Sequence, residues 1–307
     1  MNSEIQKRPL GCTGETVSMI GLGGFHIGTQ ANEKESIAIV RAAIDNGMTF
    51  MDNCWDYNDG ASEIRMGKAL RDGYRQRAFL MTKADGRDKR TARHQIEESL
   101  SRLQTDVIDL IQFHEVIQDT DPARIFAPGG AIEAFKEAQS AGKVRYIGFT
   151  NHKSPRTLLN MLKIASDNGF RFDTVQMPLN VMDAHFDSFQ KQVVPGLVAQ
   201  GIGIIGMKPL SDHMILESNT VTAPECLRYA MSLPVSVVLT GCDSMTILQQ
   251  ALDAARNFSP LSEAERRDML ERTAEAGSKG MYERYKTTDI HDATCRNPQW
   301  LDDSLKV

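Results

Sequence analysis

Eight short apolar runs, spaced roughly thirty residues apart, constrain the fold of this chain more than any other feature. They begin at residues 18, 48, 78, 107, 144, 173, 202 and 235, and each has the length and composition of a buried β-strand. The segments between them show helical spacing of apolar residues. Such alternation predicts right-handed βαβ units and a parallel sheet. Eight units close into a (β/α)8 TIM barrel, for which about 250 residues is typical.

Capping signals delimit several of the predicted helices. Segment 33–47 places Ile37, Val40 and Ile44 on one face, and Gly47 ends it. Ser154 is an expected N-cap followed by Pro155 at the first helical position, and the helix that begins near 244 has Ser244 as its expected cap.

The length of 307 residues favours one domain over residues 1–307. We expect a barrel over about 15–258, long loops on its C-terminal face such as 115–129, and a C-terminal helix and tail over 259–307. A doubly wound sheet is the weaker alternative, since it requires G-x-G-x-x-G at the start of the first helix. The Gly-rich segment 21–28 lacks that spacing.

Composition excludes several classes of protein. The net charge is −5 and no basic stripe is present, which argues against nucleic-acid binding. No apolar run reaches the roughly 20 residues of a membrane helix, and the N-terminus lacks the apolar core of a signal peptide. The five cysteines form no C-x-x-C pair, so we expect reduced thiols in the cytoplasm and no metal site. We expect Cys54 to be a small packing residue, and Asp56 and Asp59 to be solvated charges in a loop.

Four polar residues follow three successive strand candidates. Asp52 and Tyr57 follow the second strand, Lys83 ends the third, and His114 follows the fourth. In a barrel these strand ends share one mouth. A carboxylate can hold an ammonium, and an ammonium beside a phenol lowers its pKa from about 10. With an imidazole to orient the substrate oxygen, this group is a general acid for reducing a carbonyl.

The order of several motifs resembles the aldo-keto reductase family over nearly the whole chain. The stretches concerned are LGCTGETVSMIGLGGFHIGT, FMDNCWDYNDGASEIRMGKAL, LMTK, QFHEV, IGFTNH and TVQMPLN. The resemblance implies an NAD(P)H-dependent carbonyl reductase in which Tyr57 is the acid. Lys83 would lower the Tyr57 pKa, Asp52 would hold Lys83, and His114 would orient the carbonyl.

The resemblance also implies a cofactor site. Asn151 and Gln176 would bind the nicotinamide carboxamide with Thr150 nearby, and the backbone of Gly24 and Phe25 would approach the cofactor. Further cofactor residues are expected at Met207, Lys208, Pro209, Leu210, Thr240, Gly241, Ser244 and Gln250. The substrate pocket is expected to include His26, Trp55 and Phe126.

Two departures from the family pattern bear on the cofactor. Met207 stands where family members often place a tyrosine under the nicotinamide ring. The segment 240–251 lacks the basic residues of many NADPH-binding members, and Asp243 would oppose a phosphate. The family therefore implies NADP(H), with NAD(H) as an open alternative.

Two other functions remain open from the sequence. One is a Schiff-base aldolase that uses Lys83 or Lys208 as its nucleophile on the same barrel. The other is a non-catalytic, cofactor-sensing relative. The substrate is expected to be a small molecule, and the sequence does not determine the oligomeric state.

Overall fold

Eight parallel strands form a closed barrel in the computed structural model, which describes residues 4–302. A hairpin of β1 (Lys7–Pro9) and β2 (Thr16–Ser18) precedes it. The barrel strands are β3 (Ile20–Gly23), β4 (Phe50–Met51), β5 (Phe79–Ala84), β6 (Ile108–Phe113), β7 (Val144–Thr150), β8 (Thr174–Pro178), β9 (Gly203–Met207) and β10 (Val237–Gly241). Each strand pairs with the next in sequence, and β10 closes the barrel on β3. The predicted TIM barrel is confirmed.

The helices surround this barrel. They are α1 (Glu33–Asp45), α2 (Ala61–Ala69), α3 (Lys89–Leu103), α4 (Asp121–Phe126), α5 (Ala131–Ser140), α6 (Pro155–Asp167), α7 (Phe189–Gln192), α8 (Val194–Gln200), α9 (Ala223–Ser232), α10 (Met245–Arg256), α11 (Glu263–Gly277), α12 (Arg284–Thr287) and α13 (Ala293–Arg296). The expected N-caps form, because Ser154 accepts from Thr157 N and Ser244 accepts from Ile247 N. Gly47, with φ of 88°, follows α1 as expected.

The N-terminal hairpin closes the bottom of the barrel, where the strands begin. Leu10 and Val17 are buried in an apolar cluster inside the barrel with Phe50, Phe79, Met81, Leu110, Ile205, Val237 and Leu239. Arg8 donates to the carbonyl oxygens of Val235 and Met231, at 3.1 and 2.8 Å. The interior of the lower barrel is therefore packed with side chains, which leaves the C-terminal face as the open end.

The C-terminal tail, residues 278–302, crosses that opposite face. Thr294 donates through its backbone N and its hydroxyl to Glu115 Oε2, at 2.9 and 3.0 Å. Arg87 N donates to Leu301 O at 2.8 Å. The tail is anchored further by the buried Lys286, which pairs with Asp183 at 2.7 Å. The tail thus contacts the loops that follow β5, β6 and β8.

The expected domain bounds include segments 1–3 and 303–307, which lie outside the described residues. That the whole chain forms one domain stays a prediction. Within residues 4–302, no helix has both the length and the apolar character needed to span a membrane.

Candidate active site

A buried ion pair forms the centre of the candidate site. Lys83 Nζ, at the end of β5, lies 2.5 Å from Asp52 Oδ1 and donates to Asn53 O at 2.7 Å. Its third contact is Tyr57 OH, at 3.3 Å. Because β4 and β5 are neighbours, Asp52 and Lys83 meet directly above the packed barrel interior. The structure brings the predicted carboxylate, ammonium and phenol together as one connected group.

Tyr57 is enclosed by other side chains. Its ring meets Phe25 and His114 edge-on, with centroid distances of 5.5 and 5.8 Å. Burial raises the pKa of Tyr57 well above its usual value, and the negative charges of Asp52 and Asp56 raise it further. The sequence predicted a lowered pKa for Tyr57, whereas the net shift is upward, because burial outweighs the effect of the neighbouring Lys83 ammonium. At neutral pH the phenol is therefore protonated and can donate a proton.

His114 is held by carboxyl groups that sequence reasoning missed. Its Nδ1 lies 2.8 Å from Asp85 Oδ1 and 3.5 Å from Asp56 Oδ1. Asp56 was expected to be solvated, yet only 8% of its side chain is exposed, because the loop after β4 folds it toward His114. Burial raises the pKa of Asp56 to about 7 and that of Asp85 to about 8, and lowers that of His114.

A fully buried arginine fixes the strand ends that carry these groups. The guanidinium of Arg87 donates to the carbonyl oxygens of Asp85, His114 and Glu115, at 2.6, 2.7 and 2.9 Å. It also pairs with Asp121 at 3.1 Å. Arg87 therefore ties the end of β5 to the end of β6. A charged residue in DGR, directly after a buried strand, is the signal that could have identified it.

Comparison with known proteins identifies the family of this chain. The profile of the Aldo/keto reductase family matches residues 19–226, which is more than half of the chain. The chain belongs to the aldo/keto reductase family. The predicted family and enzyme class are thereby confirmed.

Two curated relatives from Bacillus subtilis illustrate how far the match extends. The aldo-keto reductase YhdN is 38% identical over 154 residues, and the match covers 45% of this chain and 45% of YhdN, or about half the length of that relative. The uncharacterized oxidoreductase YrpG is 30% identical over 237 residues, which cover 69% of this chain and 70% of YrpG.

Solved structures share the fold. An aldo-keto reductase from Bacillus halodurans, in its holo form, matches with a TM-score of 0.74 at 23% identity, over 88% of this chain and 96% of that one. An aldo/keto reductase from Klebsiella pneumoniae, in complex with NADP and acetate, matches with a TM-score of 0.69 at 22% identity, over the same shares. These identities establish a common barrel and nothing finer.

The amide side chains expected to bind nicotinamide differ in their availability in this aldo/keto reductase. Gln176 is buried, its Nε2 contacts Met207 Sδ at 3.4 Å, and its Oε1 has no partner among the described residues. Asn151 is occupied by the chain itself, since Nδ2 donates to Val116 O at 2.5 Å and Oδ1 accepts from two backbone N–H groups. Thr150 Oγ1 accepts from Glu115 N at 2.9 Å. Gln176 thus offers the free acceptor.

Lys208, which follows β9, has an ammonium without a hydrogen bond or ion pair in the part of the chain from 4 to 302. Its Nζ lies 5.4 Å from the centroid of the Tyr285 ring. Burial lowers the pKa of Lys208, and its backbone has φ of 54°. Pro209 beside it is buried and Leu210 is half-buried. An unpaired, largely buried cation at this mouth fits an anionic group such as a phosphate.

Most of the residues expected nearest the remaining parts of a dinucleotide lie at the ends of β3 and β10 or directly after them. Gln250 lies apart from these, on α10. A Cβ at Gly24 would clash with Asp52 O, so glycine permits that close approach. Phe25 is half exposed, and the His26 ring packs on Gly241. Thr240 is buried at the end of β10. Gln250 is exposed and lines a groove with Pro224 and Arg228 of α9.

The three residues expected in the substrate pocket have different surroundings. Trp55 Nε1 donates to Glu98 at 2.7 Å, and its ring meets Trp300 of the tail edge-on at 6.0 Å. His26 Nε2 lies 4.0 Å from Asp212 across the mouth. Phe126 instead packs with Phe170 and Phe172, at 6.0 and 6.2 Å, in an aromatic cluster between strands and helices. The structure places Phe126 away from the mouth.

Proposed function

We propose that this aldo/keto reductase reduces the carbonyl of a small aldehyde or ketone, or oxidises the corresponding alcohol, with a nicotinamide dinucleotide as its redox partner. The observation that supports this most is the contact of Lys83 Nζ with both Asp52 and Tyr57 OH, at 2.5 and 3.3 Å. When bound, the nicotinamide supplies or accepts the hydride at C4.

Tyr57 is the proposed proton donor. Its raised pKa keeps the phenol protonated until a more basic oxygen, such as that of a carbonyl gaining hydride, comes within hydrogen-bond distance. The phenolate that then forms is stabilised by Lys83 at 3.3 Å. Burial raises the pKa of Asp85 to about 8, so at neutral pH its carboxyl is protonated and donates to His114 Nδ1. The ring proton of His114 then lies on Nε2, which has no hydrogen bond to a described residue and can donate to the carbonyl oxygen.

The residues at the mouth fit a nicotinamide dinucleotide. The partnerless Oε1 of Gln176 suits an amide N–H, and the unpaired ammonium of Lys208 suits a phosphate. The Klebsiella relative is in complex with NADP. We propose NADP(H) or NAD(H) for this chain. A cytoplasmic location and the absence of a nucleic-acid partner stay predictions.

The test combines cofactor binding with one substitution. Titration with NADPH and with NADH is followed by quenching of tryptophan fluorescence, with calorimetry as a check, and carbonyl substrates are then screened with the tighter cofactor. Tyr57→Phe should lower kcat/KM by about 10²–10⁴-fold with cofactor affinity retained. Tyr74→Phe is the matched control, since Tyr74 OH bonds the exposed Asp45 on the outer surface. Undiminished turnover in Tyr57→Phe, or no binding of either cofactor, would refute the proposal.

A second candidate function has one observation in its favour. A partly buried lysine with a lowered pKa is the type of nucleophile that forms Schiff bases. Lys208 fits that description and has no ion pair to residues 4–302. Lys83 does not, because its Nζ is paired with Asp52 at 2.5 Å. An aldolase would give a borohydride-stable adduct on Lys208 with a carbonyl substrate, detectable by peptide mass spectrometry. A reductase would give none.

A further inference from the structure

Four side chains with metal-binding atoms, one of which is His114, converge beside the candidate active site. They are Cys54 and Asp56 from the loop after β4, Asp85 after β5, and His114 after β6. One atom of each, the sulfur, a carboxylate oxygen from each aspartate and a ring nitrogen, all lie within 4.8 Å of one another. His114 takes part through Nδ1, which lies 2.8 Å from Asp85 Oδ1 and 3.5 Å from Asp56 Oδ1.

The cluster has unmet bonding capacity. Asp56 Oδ1 and Asp85 Oδ2 are buried and have no hydrogen-bond partner in the described part of the chain. Cys54 and Asp85 are fully buried, and the side chains of Asp56 and His114 are each only 8% exposed. Buried polar atoms without partners are uncommon and mark strain, a catalytic role or a missing ion or water.

The nearby cations are already committed elsewhere. Lys83 pairs with Asp52 at 2.5 Å, and Arg87 pairs with Asp121 at 3.1 Å. The two carboxyl groups of the cluster therefore face each other with an imidazole between them and no cation of their own. A bound cation would supply the missing positive charge and would satisfy the free oxygens.

We infer that Cys54, Asp56, Asp85 and His114 form a binding site for one divalent cation of the zinc class. One sulfur, one imidazole nitrogen and two carboxylate oxygens are a ligand set that Zn²⁺ or Co²⁺ accepts in a tetrahedral arrangement, whereas Mg²⁺ and Ca²⁺ require oxygen ligands. On binding, the Cys54 thiol and any protonated carboxyl release their protons to solvent. Metal binding through Nδ1 leaves the ring proton of His114 on Nε2, the other ring nitrogen.

The expectation of no metal site followed from cysteine spacing alone. The four ligands come from three strand ends that are about thirty residues apart in sequence, so no local motif reveals them. The site does not depend on the proposed reductase activity, because it is defined by binding and can be measured without a carbonyl substrate or a cofactor.

The test is a titration of the chelator-treated protein with Co²⁺ and, separately, Zn²⁺. We expect one ion per chain, with the near-ultraviolet charge-transfer band of a cobalt–thiolate bond. Cys54→Ser should abolish this band and weaken binding by at least about tenfold. Asp85→Asn should weaken binding by at least the same factor. Loss of a residue that only supports a metal ligand already costs about 10–100-fold in metal affinity. Asp56→Asn is a third variant for the case that either of these fails to fold, since the Asp56 side chain accepts no backbone hydrogen bond from the described residues. It should also weaken binding.

The exposed thiols provide the control. Cys12 and Cys295 are exposed and could bind cobalt on their own. The double variant Cys12→Ser/Cys295→Ser should keep the stoichiometry and the band. A band that survives in Cys54→Ser but disappears in this double variant would show adventitious surface binding and overturn the inference. Absence of binding to the wild-type protein would also overturn it, and would leave a shared proton as the link between the two carboxyl groups.

Discussion

Replacement of Arg87 by methionine should destabilise this protein strongly. Arg87 and Asp121 are both almost fully buried, with side-chain exposures of 0 and 1%. Removing one partner of a buried ion pair costs about 3–5 kcal/mol, because the other charge is left without compensation. Methionine keeps most of the aliphatic packing, so the loss is due to charge and hydrogen bonds. Three carbonyl oxygens also lose a hydrogen-bond donor, so we expect the free energy of unfolding to fall by at least about 3 kcal/mol.

The assay is urea unfolding followed by far-ultraviolet circular dichroism and by tryptophan fluorescence, whose coincidence checks that the transition is two-state. Arg93→Met is the matched control, since Arg93 is 57% exposed and its pairing with Glu137 lies at the surface. That control should change the free energy of unfolding by at most about 1 kcal/mol.

A double-mutant cycle isolates the ion pair. In Arg87→Met/Asp121→Asn neither charge of the pair is left without its partner. The double variant should therefore lose about 0.5–3 kcal/mol less of the free energy of unfolding than the two single variants lose together. If Arg87→Met lowers the free energy of unfolding no more than Arg93→Met does, the Arg87 guanidinium does not stabilise the ends of β5 and β6. Zero coupling with Asp121 would refute the charge explanation.

Two further outcomes follow from the tail and from the loop after β10. Burial and the nearby Lys208 lower the pKa of His291 to about 4, so the folded state binds fewer protons than the unfolded state between pH 4 and about 6.5. Stability should therefore fall as pH decreases through that window, and less so in His291→Asn; equal slopes of Tm against pH would contradict this. Asp243 is exposed before α10, and Asp243→Lys should raise the affinity for NADPH relative to NADH by roughly tenfold, about 1.4 kcal/mol. Asp167→Lys, the same charge change at the end of α6, should leave the NADPH-to-NADH ratio of binding constants unchanged.

The barrel could be predicted because each strand and helix carries its own local signal. The runs that begin at 78, 107 and 144 became β5, β6 and β7 with shifts of at most about one residue at their starts. The Ser154 and Ser244 caps formed because a serine before an apolar helix satisfies the free N–H groups of the first turn. Once eight strands close a barrel, the meeting of Asp52, Lys83 and His114 follows from geometry.

The parts that could not be predicted depend on how loops fold back. The sequence predicts that both Asp56 and Asp59 are solvated. Nothing in it shows that the loop turns Asp56 toward His114 and leaves Asp59 exposed. The predicted sign of the Tyr57 pKa shift is wrong, because burial beneath side chains such as Phe25 and His114 outweighs the nearby ammonium. The contact of Thr294 with Glu115 joins segments that are 179 residues apart, and no apolar periodicity in the tail predicts it.

The two ends of the described chain cover opposite ends of the barrel, and this has a consequence for biosynthesis. The hairpin at 7–18 is made before every barrel strand, whereas the tail is made after them. The tail contacts Arg87, Glu115 and Asn180. A nascent chain thus has Asp52, Tyr57, Lys83, His114 and a closable barrel before it has the tail that contacts the C-terminal face. Synthesis of the tail, rather than closure of the sheet, is therefore the step that completes the C-terminal face of the barrel.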